Sequence, residues 1–179
     1  MKTKSFIFLL TILSWIIFTG LCIVAGSFIV NISLAVFQPE WMAYTWKEAD
    51  FTALYTFDRG YFFAQMSLIT IATVLKAFLF FMILQLLNDK KMKIQRPFHQ
   101  RVATLISKAS FITLLISIFS YWGVKYSEWL TKKGIALPSV EQMELGGADV
   151  WMFMCVVLVV IAQVFKKGIE LQNENDLTV

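Results

Sequence analysis

The run Val150–Val164, VWMFMCVVLVVIAQV, carries no charge, and it passes directly into Phe165–Val179, FKKGIELQNENDLTV, which is rich in amide and acidic residues. Extended back to Ala148, the apolar part reaches the length of about 17 to 25 residues with which a helix crosses the hydrocarbon core of a bilayer. Three other apolar runs precede it: Ser5–Phe37, Tyr61–Leu87 and Ala103–Val124. Of the 179 residues, 58% are hydrophobic and 16% are charged, whereas soluble domains hold about 45–50% apolar and about 25% charged residues. A globule of this size has no interior large enough to hide that excess. In hydrocarbon every backbone amide must be paired within the chain, so runs of this length are helices. The sequence therefore predicts an all-α fold, a single integral membrane four-helix bundle over residues 1–179. Its spans fall at about 6–30, 61–87, 103–124 and 148–166, followed by a short tail, 167–179.

Lysine and arginine are retained on the cytoplasmic side of a membrane, and their distribution sets the expected orientation. Lys2 and Lys4 precede the first span, Lys90, Lys91, Lys93, Arg96 and Arg101 lie between the second and third, and Lys166 and Lys167 follow the fourth. The other two connections are richer in acids, with Glu40, Glu48, Asp50 and Asp58 in one and Glu128, Glu141, Glu144 and Asp149 around the other. Both termini, and with them the tail, are expected in the cytoplasm. The net charge of +4 and pI near 9.1 reflect this asymmetry, so direct nucleic-acid binding is not expected. The first apolar run is far longer than the roughly 7–15 residues of a signal core, and it reads as a retained span.

Between the spans, Gln38–Arg59 holds Pro39, Trp41, Tyr44, Trp46, Leu54, Tyr55 and Phe57, the pattern of a short interfacial helix. The connection Lys125–Gly147 is punctuated by Gly134, Pro138 and Gly146-Gly147, which mark turns. Neither contains a phosphate-binding glycine motif or a nucleophile with its base, so no catalytic residue and no cofactor is assigned. His99 has no partner at metal-ligand spacing, and Cys22 and Cys155 alone cannot form a zinc site; they read as buried free thiols. Lys76, in TIATVLKAFLFF, is the candidate intramembrane polar site. A lysine at mid-span is costly and marks function by default, yet no acid lies in a span to pair with it. Its expected partners are neutral: hydroxyls such as Ser110, Thr113 and Ser117, a backbone carbonyl or water. A structural amine of this kind is expected to be replaceable by methionine at little cost.

The close AQVFKKGIELQNENDLTV, with QRPFHQRVATLISKAS leading into the third span, resembles the bacterial membrane proteins catalogued as domain of unknown function 2975. The resemblance rests on Pro97, Phe98, Phe165, Gly168, Glu170, Leu171, Glu174, Asn175, Asp176, Leu177 and Thr178; around Pro97-Phe98, Arg96, His99, Gln100 and Arg101 replace a small amide-and-acid neighbourhood. It implies four spans with short loops and a bacterial cytoplasmic (inner) membrane location. It also implies a small cytoplasmic helix-turn-helix regulator as partner, and it implies no reaction.

Two function classes follow. One is a multi-pass regulatory or anchoring protein, not an enzyme, whose cytoplasmic surface is made by Arg96, Pro97, Phe98, Arg101, Gly168, Glu170, Leu171, Glu174, Asn175, Asp176 and Leu177. In that reading the tail folds back on the basic loop, burying Ile169, Leu171 and Leu177 near Phe98. The alternative is a small transporter or ligand-binding membrane protein with a polar pocket around Lys76. The lipid bilayer is a partner in both, and a homo-oligomer is left open.

Overall fold

The computed structural model describes residues 3–38, 50–88 and 100–177, apart from the side chains of 3–4 and 175–177. These residues form α1 (Thr3–Phe37), α2 (Thr52–Phe57), α3 (Arg59–Leu87), α4 (Gln100–Lys132) and α5 (Ala148–Leu177). Within α1, α3, α4 and α5 lie segments long and apolar enough to cross a membrane: Ser5–Phe37, Arg59–Leu87, Gln100–Lys132 and Ala148–Glu174. The chain is all-α and reads as a multi-pass membrane protein. Of Gln38–Arg59, where an interfacial helix was expected, the described part forms the short α2, preceded by Asp50, whose carboxyl the N–H and hydroxyl of Thr52 hold below its usual range; Pro39, Trp41, Tyr44 and Trp46 lie outside the described residues.

The helices stand in a row. α1 packs on α3, α3 on α4 and α4 on α5, whereas α1 and α5 are not packed together. Among the described residues the four long helices thus pack as an open layer. The apolar window of α3 is 44% buried and that of α4 33%, against 6% for α1 and 11% for α5. Lipid is as apolar as leucine and gives the two flanking helices no reason to close on each other. The helices alternate in direction: Phe18 meets Phe81, Tyr61 meets Trp129, and Ser117 meets Ala148. Both ends of the described chain therefore lie at one end of the layer. Cys155 is buried on α5, but Cys22 is exposed on α1, which corrects the expectation of two buried thiols; both are free.

Close packing at the centre comes from small residues. α4 buries Ala103, Ala109, Ser110, Thr113, Ser117, Ser120, Gly123 and Ser127, which let neighbouring backbones approach. Several of these hydroxyls bond back to their own helix, as Thr113 does to the Ser110 carbonyl and Ser127 to that of Gly123. Their polarity is thereby satisfied without water. On α5 the covered positions Ala148, Trp151, Cys155, Leu158, Ala162, Phe165, Ile169 and Gln172 alternate by three and four residues, the spacing of left-handed helix packing.

The larger core lies at the end opposite the termini. It joins Phe28 and Ala35 of α1, Leu54 of α2, Phe62, Met66 and Ile69 of α3, and Leu130 of α4 to Ile135, Met143 and Leu145 of the α4–α5 connection. That connection is ordered by its own turn chemistry. Gly134, at φ 83°, closes α4: its N–H bonds to the Thr131 carbonyl at 2.9 Å and the Ile135 N–H to that of Leu130 at 3.4 Å, the paired bonds of a Schellman cap. Ser139 and Gln142 then exchange reciprocal side-chain bonds, a capping box for one helical turn. Glu144, at φ 57°, ends that turn with a second pair of cap bonds, Glu144 N–H to the Glu141 carbonyl and Leu145 N–H to that of Val140.

After this second cap the chain does not remain at the end of the layer. Ser117 Oγ donates to the Ala148 carbonyl at 2.7 Å, and Ser117 lies fifteen residues short of Lys132, about 22 Å along the helix. The connection, in which the sequence marks only turns, descends to the middle of α4 before α5 begins. Gly123 makes room for the descent, since a Cβ there would lie 2.7 and 2.9 Å from the two methyls of Leu145.

Gly123→Ala is expected to cost about 1–3 kcal/mol through overpacking, reduced by the helix preference for alanine. Leu145→Ala alone should cost about 2–5 kcal/mol. The two costs should be markedly less than additive in thermal unfolding of the purified protein, because the second substitution removes the clash created by the first. Simple additivity would refute the close approach.

Candidate functional site

Lys76 is 7% exposed, and its ammonium is met from the α4–α5 connection. Nζ donates to the Glu144 backbone carbonyl at 2.5 Å, with the Glu144 carboxylate at 3.8 Å and the Trp151 ring centroid at 5.9 Å. The expectation of a carbonyl acceptor is met. The expectation that its partners are all neutral is corrected: Glu144, read as an outer-loop residue, is carried inward by the descending connection. Of the two contacts the carbonyl is the shorter, and the carboxylate, at 42% side-chain exposure, keeps access to solvent. A left-handed non-glycine residue costs about 1–2 kcal/mol, so the amine and the two cap bonds hold Glu144 in a conformation it would not otherwise favour.

Further along the same face of α3, Gln65 is fully buried and donates to Ser127 Oγ at 2.8 Å, and also faces the Gly123 carbonyl at 3.4 Å and the Met143 sulfur at 3.6 Å. Gln65 Oε1 and Ser120 Oγ are buried without a hydrogen-bond partner among the described residues. Gln65 and Lys76 are eleven residues apart, three helical turns, so the periodicity of α3 already places both on one face; Gln65 was not singled out from the sequence. Together they fasten the connection to the α3–α4 seam.

The predicted surface at the termini-bearing end is placed in part. Arg96, Pro97 and Phe98, like His99, lie outside the described residues. Arg101 is exposed on the first turn of α4. The chain does not turn back at Gly168: α5 continues as one helix to Leu177. The expected separate tail is therefore a helical extension. Gly168 and Ile169 are half-buried, whereas Glu170, Leu171 and Glu174 are exposed. Leu171, at 57% exposure, corrects the expectation that it is buried; it falls off the stripe of Phe165, Ile169 and Gln172 by helical register. Asn175, Asp176 and Leu177 continue the helix, with side chains outside the description.

One feature of this end was absent from the sequence reading. A cavity of about 890 Å³ opens between α3 and α4, lined by residues that include Phe78, Met82, Gln85, Arg101, Thr104 and Lys108. Lys108 is a second lysine within a span, and its position inside the apolar run Ala103–Val124 was the available signal.

Among the described residues no group of three or more His, Cys, Asp or Glu side chains could hold a metal ion. Comparison with family models, with curated proteins and with solved structures finds no match to this chain.

The Lys76 geometry separates backbone from side-chain recognition. Lys76→Met leaves the Glu144 carbonyl without its donor and should cost about 1–3 kcal/mol, in place of the near-neutral change expected from sequence. Glu144→Gln keeps the carbonyl and should cost less than about 1 kcal/mol. Thermal unfolding of both variants checks the order; an equal or greater loss for Glu144→Gln would assign the contact to the carboxylate.

Proposed function

We propose that this chain is a regulatory or anchoring protein of a bacterial cytoplasmic membrane, without enzymatic activity, whose cytoplasmic face binds a soluble partner. The observation that carries this reading is the course of α5. By its antiparallel register with α4, Phe165 stands level with Gln100, and the helix then continues for twelve residues to Leu177, about 18 Å. This extension presents exposed Glu170, Leu171 and Glu174. An exposed leucine flanked by acids on a projecting helix suits docking into a groove on another protein. The resemblance of this same segment to the domain of unknown function 2975 family supports a small helix-turn-helix protein as the partner. The cations around the termini-bearing end, Arg101, Lys166 and Lys167 among them, support its cytoplasmic orientation. The transporter alternative has less behind it, because the Lys76 amine is already engaged by the chain's own carbonyl.

Orientation is checked in a background with Cys22 and Cys155 replaced by alanine. A cysteine at Lys133 should react with an impermeant thiol reagent in whole cells, and one at Gln172 should react only after the membrane is opened. The opposite pattern would invert the topology.

For the partner, a photo-crosslinking side chain at Leu171 should capture a soluble helix-turn-helix protein in native membranes, whereas one at Val160, exposed in mid-span at 57%, should capture lipid. Deleting residues 168–179 should abolish co-purification of the captured protein. Lipid adducts alone at Leu171 would sink the anchoring reading.

A further inference from the structure

The cavity between α3 and α4 changes character along its length. Phe78 and Phe111 wall its deep end, Met82 its middle, and Gln85, Thr104 and Arg101 the part nearest the termini-bearing end. On α4, Arg101, Thr104, Lys108 and Phe111 recur at spacings of three and four residues, so they form a single stripe along one face. Lys108 lies two turns deeper than Arg101, about 10 Å by the helical rise, inside the candidate span Gln100–Lys132. It is exposed, and no carboxylate among the described residues pairs with it.

A lysine in this position has two needs. Its methylene stem requires apolar surface, which the cavity wall supplies, and its ammonium requires a counter-charge that the described protein does not supply. A side chain of this kind lies along the apolar wall and lifts its amine toward the headgroup region, where anionic lipids offer phosphate. Arg101 stands on the same stripe one step nearer that region, with a planar fork suited to phosphate oxygens. The volume, about 890 Å³, lies within the range of about 300–1,000 Å³ typical of ligand pockets.

We propose that this cavity binds one anionic phospholipid, its headgroup phosphate held between Arg101 and Lys108 and an acyl chain lying along Met82 and Phe111. The apolar deep end selects a lipid over a free anion, and the paired cations select an anionic headgroup over a zwitterionic one. The proposal stands apart from the reading of α5 as a docking helix, since it uses a different face and needs no protein partner.

The test is native mass spectrometry of the purified full-length protein with phosphatidylglycerol and phosphatidylcholine of the same acyl chains. One phosphatidylglycerol per chain should be retained in preference to phosphatidylcholine. Lys108→Met, which keeps the stem and removes the charge, should weaken phosphatidylglycerol about fivefold, the change expected for one basic residue at an anionic surface, and leave phosphatidylcholine unaltered. Thr104→Trp, which fills the cavity with both cations intact, should lose the retained lipid. Lys125→Met, at the far end of α4, should change neither lipid. Equal retention of the two lipids by the unmodified protein, or undiminished phosphatidylglycerol binding by Lys108→Met, would overturn the proposal. So would displacement of the lipid by glycerophosphoglycerol, which would place the affinity in the headgroup alone. Lys108 is on the surface, so its variant decides the matter even if Thr104→Trp fails to fold.

Discussion

An ammonium buried in the middle of α3 must be met by an acceptor, and much of the architecture follows from how this chain supplies one. The acceptor at Lys76 is the backbone carbonyl of Glu144, presented by a residue in the left-handed conformation. That conformation closes the single turn from Ser139 and directs Leu145 onto Gly123, where only a hydrogen leaves room for it. α5 can then start at Ala148, bonded to Ser117 halfway along α4. Because α5 runs antiparallel to α4, the depth of its start also fixes how far it extends at the other end. The same thirty-residue helix begun at the level of Lys132 would not reach past Gln100 by any such margin. The projecting segment Lys166–Leu177 is therefore the far consequence of a contact made more than one apolar span away.

The parts of the fold that depend on local composition were legible in the sequence. Four apolar runs required four helices, and the positions of Gly134 and Gly147 in turns were readable from residue type. What could not be read was a contact between residues 68 positions apart. Glu144 stands in a connection where the sequence marks only turns, and nothing local says that it folds inward. A left-handed glutamate is likewise invisible from sequence, because the pattern of such caps leads one to expect glycine. Gln65 and Lys108 are different cases: both were visible as polar residues in apolar runs, and helical spacing alone ties Gln65 to Lys76 and Lys108 to Arg101. At the candidate surface, α5 continues as one helix through Gly168, where the tail was expected to fold back on the basic loop. A helix already seated by a three-four stripe on α4 tolerates one glycine at a cost of about 1 kcal/mol.

The row arrangement divides the work between helices. α3 and α4 carry most of the buried polar residues and the short-side-chain seam, so the discrimination of this fold against slipped registers resides mainly in that pair: Gln65 with Ser127, Gly123 with Leu145, Lys76 with the connection. α1 and α5 add mainly apolar surface, and most of their window faces outward. Misplacing a polar contact in low dielectric leaves two groups unsatisfied, whereas sliding an apolar flank exchanges one hydrocarbon neighbour for another. The central seam is thus the element that sets the register.

The two ends of that seam are built on opposite electrostatic terms. In the middle of the seam and toward the end away from the termini, Lys76 and Gln65 are engaged by groups of the chain itself, and the contacts close the structure. At the other end, Lys108 is a cation in a span with no described carboxylate beside it, close to a cavity and to the start of the α5 extension. A charge satisfied internally contributes to holding a shape, while a charge held at an open apolar wall draws its partner from the surroundings. The polar contacts of the seam are thus closed toward one end and left open at the end that bears both ends of the described chain, where α5 extends past Gln100.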